Sequence, residues 1–237
     1  MNKDKFLIEQ KLIHTDLDIK DWCNGCVCTF LNPVSYLEAV KEEELFGNFD
    51  LIFADGSIMV WFIHLLYGKK IKRRSFDMTS MAKEVFQYAS NEKKTVYFVG
   101  ASENNLKVAI CKITKDFPAL NIVGSRNGFF SDEEDLRQEI DNIVEVAPDF
   151  LIVGMGVIKQ EKFLMNVKEA GFSGCGFTCG GFLHQYAMQG KKYYPDWINR
   201  YNLRFLYRMY KEPYTIKRYA KAFFLFPILI VKRKYFQ

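Results

Sequence analysis

Residues 148–163 read PDFLIVGMGVIKQEKF. The apolar run FLIV (150–153) stops at Gly154, Gly156 follows, and Lys159, Gln160 and Glu161 open a stretch with helical spacing. A short, unbroken apolar run reads as a strand buried on both faces. Two glycines permit close backbone approach, and the exposed N–H groups of a helix N-terminus favour phosphate. The stretch is read as a strand, a ligand-binding turn and a helix. The plainer alternative is an ordinary strand–turn–helix with a solvated first turn.

Outward from this stretch the same unit recurs. TVYFVGAS (95–102) is a strand, a glycine and Ser102 as the cap of a helix running to Phe117. LNIVGSRNGFF (120–130) holds a strand and a glycine turn, and Ser131 with Glu134 has the spacing of a capping box for the next helix. That helix, KQEKFLMNVKEAG (ending at Gly171) and the glycine-rich GCGFTCGGF complete this half. Upstream, CVCTFLNP is a short strand and SYLEAVKEEELF (35–46) has helical spacing. FDLIFADG (49–56) is a strand ending in Asp-Gly, SIMVWFIHLLYG (57–68) an apolar helix, and FDMTSMAKEVFQYAS (76–90) a helix with Thr79 or Asp77 as N-cap. Repeated strand–helix units with buried strands predict an α/β fold, a doubly wound and mostly parallel sheet. Ligands sit at the C-terminal strand ends of such sheets. Asp55, Gly100, Gly124 and Gly154 to Gly156 are placed there. GMGVIK lacks the third glycine of a dinucleotide fingerprint and VGASENN lacks two, which counts against an oxidoreductase.

The 237 residues, 49% hydrophobic and 26% charged, suit one large domain, or a domain with an appendage. Six cysteines without a secretory leader point to a reducing cytoplasm. The spacing of Cys23, Cys26 and Cys28, and of Cys175 and Cys179, fits a zinc site poorly. Charge is segregated. Residues 191–237 hold 12 Lys and Arg against 2 Asp and Glu, a net +10, while residues 1–190 hold 21 against 26, a net −5. The expected division is a core (1–190) and a basic, helical C-terminal appendage (191–237). In the appendage Arg200, Arg204 and Arg208 recur every four residues, as one helical stripe would. AFFLFPILIV (222–231), interrupted by Pro227 and closed by KRK, is too short to span a bilayer, which takes about 20 residues. Cations at both ends fit an anionic membrane interface, with packing on the core as the alternative. Nucleic acid would have no use for the apolar block.

These motifs, taken in order, resemble the WecG/TagA/CpsF glycosyltransferases, glycosyltransferase family 26. The residues that carry the likeness are LNP (31–33), ADG (54–56), FD (76–77), VYFVGAS (96–102), FPALNIVGSRNGFF (117–130), PDFLIVGMGVIKQE (148–161), GGF (180–182), YPDW (194–197) and LYR…EP…RY (206–219). The resemblance implies a Rossmann-like core whose appendage closes over the site on a membrane. It also implies an inverting, metal-independent transfer from a UDP-sugar, with no cofactor, to a polyprenyl-diphosphate-linked saccharide at the cytoplasmic face. It assigns Asp55 as catalytic base. To substrate it assigns Asn32, Arg74, Asp77, Gly100, Gly154, Gly156, Lys159, Gln160, Glu161, Arg208 and Arg218, the two last gripping the donor diphosphate. Five positions depart from the family. Its Pro before Lys-Gln is Ile158, and a Thr two before Asn32 is Phe30, with Thr29 as a substitute hydroxyl. Its G-x-D is Ser75-Phe76-Asp77, an appendage arginine is Thr215, and Arg204-Phe205 stands for Glu-Trp. The donor sugar, the acceptor and homo-oligomerisation stay open, as does a non-catalytic sugar-nucleotide sensor, which would need no base.

Overall fold

The computed structural model describes residues 7–13, 25–190, 195–200 and 203–236. Cys23, Tyr201 and the boundary at 191–194 lie outside them. The chain runs α1 (Leu7–Ile13), β1 (Val27–Leu31), α2 (Pro33–Ala39), α3 (Glu43–Gly47), β2 (Leu51–Ala54), α4 (Ser57–Tyr67), α5 (Met81–Asn91), β3 (Thr95–Gly100), α6 (Glu103–Asp116), β4 (Asn121–Arg126), α7 (Glu133–Val146), β5 (Phe150–Gly154), α8 (Lys159–Glu169), β6 (Cys175–Thr178), α9 (Phe182–Gln189), α10 (Asp196–Arg200), α11 (Arg204–Lys211), a 3-10 turn (Pro213–Thr215) and α12 (Ile216–Tyr235).

The strands form one six-stranded sheet in the order β2-β1-β6-β5-β3-β4, parallel throughout. The pleat divides each apolar run between two cores. Tyr97, Val99, Leu151 and Val153 face a core covered by α1 to α4, α7, α8 and α12. Val96, Phe98, Phe150 and Ile152 face one covered by α5, α6 and α9. That two-sided burial is why FLIV and VYFV are unbroken apolar runs. The chain leaves β1 towards one face and β6, its neighbour, towards the other; β3 and β5 diverge in the same way. β6 and β5, and β3 and β4, diverge likewise, so crevices open along the C-terminal edge, one beside β1 and a second beside β5 among them, where ligands of such sheets bind.

Several local expectations are corrected. SYLEAVKEEELF forms two short helices, because Asn32 and Ser35 make a capping box that starts α2 early and Val40 ends it. The helix after residue 76 begins only at Met81; Asp77 accepts hydrogen bonds from the N–H and hydroxyl of Thr79 in the preceding loop. Asp132, not Ser131, caps α7 by accepting from the N–H of Asp135. Ser102 holds the N-cap position of α6 without a side-chain cap bond. Gly124 lies inside β4, where a side chain would enter the ring of Tyr97, and a register shift there leaves Val123 unpaired. Arg200 belongs to α10 and Arg204 and Arg208 to α11, so the three do not share one helix. Pro227 does not interrupt α12, which runs through it for 20 residues. Nor does α12 lie wholly apart from the core, because Ala222, Phe226 and Ile230 are buried in it.

Candidate active site

Asp55 follows β2 at the C-terminal edge, its N–H bonded to the carbonyl of Leu31 on β1. Its side chain is 32% exposed, enough to meet a ligand. Asn32, after β1, caps α2 with its carbonyl oxygen, accepting from Val34 and Ser35. This leaves its amide facing the Asp55 carboxylate, Nδ2 to Oδ2 3.5 Å. The N–H of Arg74 bonds to the carbonyl of Ala54, pinning the 73–77 loop against the end of β2. In consequence Arg73, not its neighbour, approaches Asp55, at 3.8 Å; Arg74 turns to Glu84 on α5.

Asp77 is the hub of this loop. Its Oδ2 accepts from Arg73 at 2.8 Å, from Arg204 of α11 at 2.7 Å and from the Ser75 hydroxyl. Arg204 also donates to the Thr79 hydroxyl, 2.6 Å. Against the effect of burial, Arg204 and Arg73 hold the Asp77 carboxyl below its ordinary value. At Asp55 the balance is reversed: burial pushes the carboxyl up, Arg73 draws it down, and the charge of Asp77 pushes it up again. Tyr219, in the first turn of α12, lies in the same field. Burial raises its hydroxyl, Arg208 lowers it and Asp55 raises it.

The glycines of the second crevice are required by space. A Cβ on Gly100 would stand 2.3 Å from the carbonyl oxygen of Gly154, and one on Gly154 2.7 Å from Cys179 Sγ. Gly156 has open space and a φ of +82°, so there it is the backbone that needs glycine. Of the polar trio that follows, only Lys159 is exposed. Glu161 is fully buried; it accepts from Thr29 at 2.9 Å, from Gln160 at 2.8 Å and from the N–H of Ile158 at 2.6 Å. Thr29 in turn meets Thr178 at 2.8 Å, and Gln160 accepts from the N–H of Gly180 at 3.0 Å. Burial raises the Glu161 carboxyl despite these donors. The network stitches β1, β6, α8 and the Gly180–Gly181 loop together beneath the crevice. Ile158 has φ +74°, a strained value for a β-branched residue, and donates its N–H to Glu161. A proline could do neither. Thr29 is committed to Glu161, and Phe30 stacks on Phe53, so no hydroxyl is restored at the departure from the family's threonine.

Above that loop stands the appendage. Arg208, half-buried on α11, pairs with Glu212 at 3.6 Å and brings its Nη2 within 3.2 Å of where a side chain on Gly181 would be. Arg218 is exposed on the first turn of α12. The structure thus brings Asn32 and Asp55 together and ties Asp77 to them through Arg73. Gly154, Gly100 and Gln160 lie at the strand ends and in the glycine loop, and Arg208 stands over that loop. Arg73 and Tyr219 were not singled out from the sequence, and Arg204 was read there only as part of a basic stripe and as a departure from the family, not as a partner of Asp77. Only the doubled arginine at 73–74 and the tyrosine of the RY pair carried any signal. Among the described residues no cluster of three or more His, Cys, Asp or Glu is placed to hold a metal.

The family model described as "Glycosyl transferase WecG/TagA/CpsF family" matches residues 13–237. A UDP-Gal:alpha-D-GlcNAc-diphosphoundecaprenol beta-1,4-galactosyltransferase of Shigella boydii is 35% identical over 206 residues, 87% of this chain and 84% of that protein. An N-acetylglucosaminyldiphosphoundecaprenol N-acetyl-beta-D-mannosaminyltransferase of Bacillus subtilis (strain 168) is 27% identical over 199 residues, 82% of this chain and 75% of that protein. Its counterpart in Staphylococcus aureus (strain MW2) is 27% identical over 192 residues, 81% of this chain and 73% of that protein.

Proposed function

Because this chain belongs to the WecG/TagA/CpsF family of glycosyltransferases, we propose that it moves a sugar from a UDP-sugar to a saccharide carried on a polyprenyl diphosphate, in the synthesis of a bacterial surface polysaccharide. The observation that carries this is the placement of Asp55 at a strand end, beside Asn32 and 3.8 Å from Arg73. It stands across the crevice edge from a glycine loop overhung by an arginine. The Asp55 carboxylate takes the proton of the acceptor hydroxyl as that oxygen bonds to the sugar's C1 and the bond from C1 to the diphosphate breaks. UDP leaves with the electron pair. Arg208 and Arg218 hold its charge, so this chain's own cations serve the leaving group. Attack from the face opposite the diphosphate inverts the anomeric centre. This agrees with the beta linkages in the relatives' names, since UDP-hexoses carry their sugar alpha.

The appendage (191–237) places the site at the cytoplasmic membrane surface. Its exposed cations draw it to anionic lipid, and its first helices reach over the core through Arg204 and Arg208. No helix among the described residues is long and apolar enough to cross a membrane, and the exposed cations of the appendage support peripheral attachment. The experiment is a screen of UDP-sugars against N-acetylglucosaminyl-diphosphopolyprenol, read by product mass. UDP-galactose and UDP-N-acetylmannosamine come first, following the relatives' names.

A further inference from the structure

The apolar tail is not the only lipid-like surface. In α4, SIMVWFIHLLY, apolar residues go round the whole helix, a composition that suits a helix wrapped on all sides. Here one side meets water. Met59 and Ile63 are buried, yet Trp61 is 56% and Leu65 59% exposed, with Ile58 on the same side at i, i+3, i+7 spacing. The helix stops at Gly68, and Lys69, Lys70 and Lys72 follow, all exposed. The tail repeats this order. Phe223, Phe224 and Ile228 of α12 are 70%, 68% and 66% exposed, and Lys232 and Lys234 close the helix, also exposed.

The two helices lie side by side and run the same way. Phe62 packs edge-on against Phe226 with ring centroids 5.1 Å apart, and towards their ends Lys234 sits 4.6 Å over the ring of Tyr67. Phe224 and Ile228, each two residues from the buried Phe226, lie on the outer side of α12, and Trp61 and Leu65, each two residues from the buried Ile63, lie on the outer side of α4, so the exposed strips of the two neighbouring helices both face away from the core. Both lysine runs come at the same end of the pair.

We propose that α4 and α12 form a single seat for an anionic bilayer surface, with the catalytic core supplying half of it. The inference rests on the transferase reading above and extends it from the tail to the core. The occupant is argued from charge and continuity. Lysines at the rim of an apolar strip match phospholipid headgroups. Gly56, the N-cap of α4, directly follows Asp55, so the seat runs out from the catalytic carboxylate. The relatives' acceptors are carried on diphosphoundecaprenol, a lipid.

The test is co-sedimentation of the full chain with phosphatidylglycerol and phosphatidylcholine vesicles that hold no acceptor. Trp61→Ser with Leu65→Ser is expected to lower partition at least about tenfold, as much as Phe224→Ser with Ile228→Ser in the tail. Turnover on a short-chain, water-soluble acceptor should stay unchanged. Lys69→Ser with Lys70→Ser leaves the apolar strip intact, and should weaken binding to anionic vesicles while leaving neutral ones unaffected. Normal vesicle binding by the α4 variants overturns the proposal. So does unchanged binding accompanied by loss of a dimer, which would make the strip a contact between copies. Failure of the transferase reading shows separately, as an unaltered chain that binds vesicles and transfers no sugar.

Discussion

At Asp55 two charges compete over one proton. Burial and the Asp77 carboxylate raise its affinity for the proton, and Arg73 lowers it. In its proposed role as base Asp55 works only when ionised, so activity should fall as pH drops through a value above the ordinary aspartate range. Asp77→Asn removes the negative charge and frees Arg73 for Asp55, so the acid limb of kcat/KM should move to lower pH. Arg73→Met removes the positive charge, so the limb should move to higher pH. A pH profile that neither variant shifts would detach both residues from the base. Asp55→Asn should lower turnover by roughly a hundredfold or more while UDP still binds. A raised folded-state pKa stabilises the protein below the unfolded value and loses that contribution as pH rises through the folded one. The Asn variant should therefore melt no lower than the parent at pH 8. With Arg208 and Arg218 in the proposed role of holding the leaving diphosphate, chelation with EDTA should leave turnover intact. The strand-end position of Asp55 was legible in the sequence, because a polar residue ending a buried strand has few places to point; Asn32 came only through the resemblance, and the structure adds that the two side chains meet. The pairing of Arg204 with Asp77 was not legible: the two lie 127 positions apart, and no local pattern announces such a pair.

At the scale of the element, the turn after FLIV is a device for burying polar groups. Read as sequence, Lys159, Gln160 and Glu161 were all ligand candidates, and substitution of Gln160 would count as a surface change. In the structure Gln160 is 5% exposed and holds the N–H of Gly180. Gln160→Ala strands that N–H and takes a donor from Glu161, which should cost about 1–3 kcal/mol as well as weaken donor use. Thermal melting beside donor KM separates the two effects. Thr29→Val should cost a similar amount without touching the crevice. Gly100→Ala puts a methyl into the Gly154 carbonyl and should fail to give a stable fold. The strands and their order of burial were legible, because period and glycine punctuation are local. The helix starts at Met81 and Glu133 were less so. They depend on which of several neighbouring Ser, Thr and Asp side chains finds a backbone N–H in three dimensions.

Across the whole molecule, the two ends of the chain are locked together. Arg233, near the end of α12, is buried and binds Glu9 of α1 at 2.6 and 2.9 Å and Glu43 of α3 at 2.6 and 2.9 Å. Tyr36 also donates to Glu9. Deleting 222–237 would leave Glu9 buried without that cation and strip Phe226 from Tyr36 and Phe62, so it cannot spare the fold. Arg233→Met alone should cost about 3–5 kcal/mol, seen as a large fall in melting temperature. The charge segregation of the sequence concealed this clamp, since a lysine-rich end reads as solvated. The account turns on one carboxylate, and one assay reaches it most directly. N-acetylglucosaminyl-diphosphopolyprenol is incubated with each UDP-sugar and either the parent chain or Asp55→Asn, and the lipid product is weighed. A single hexose or N-acetylhexosamine should be added by the parent, at least about a hundredfold more slowly by the variant. Equal rates in the two proteins, or no transfer from any UDP-sugar, would contradict it.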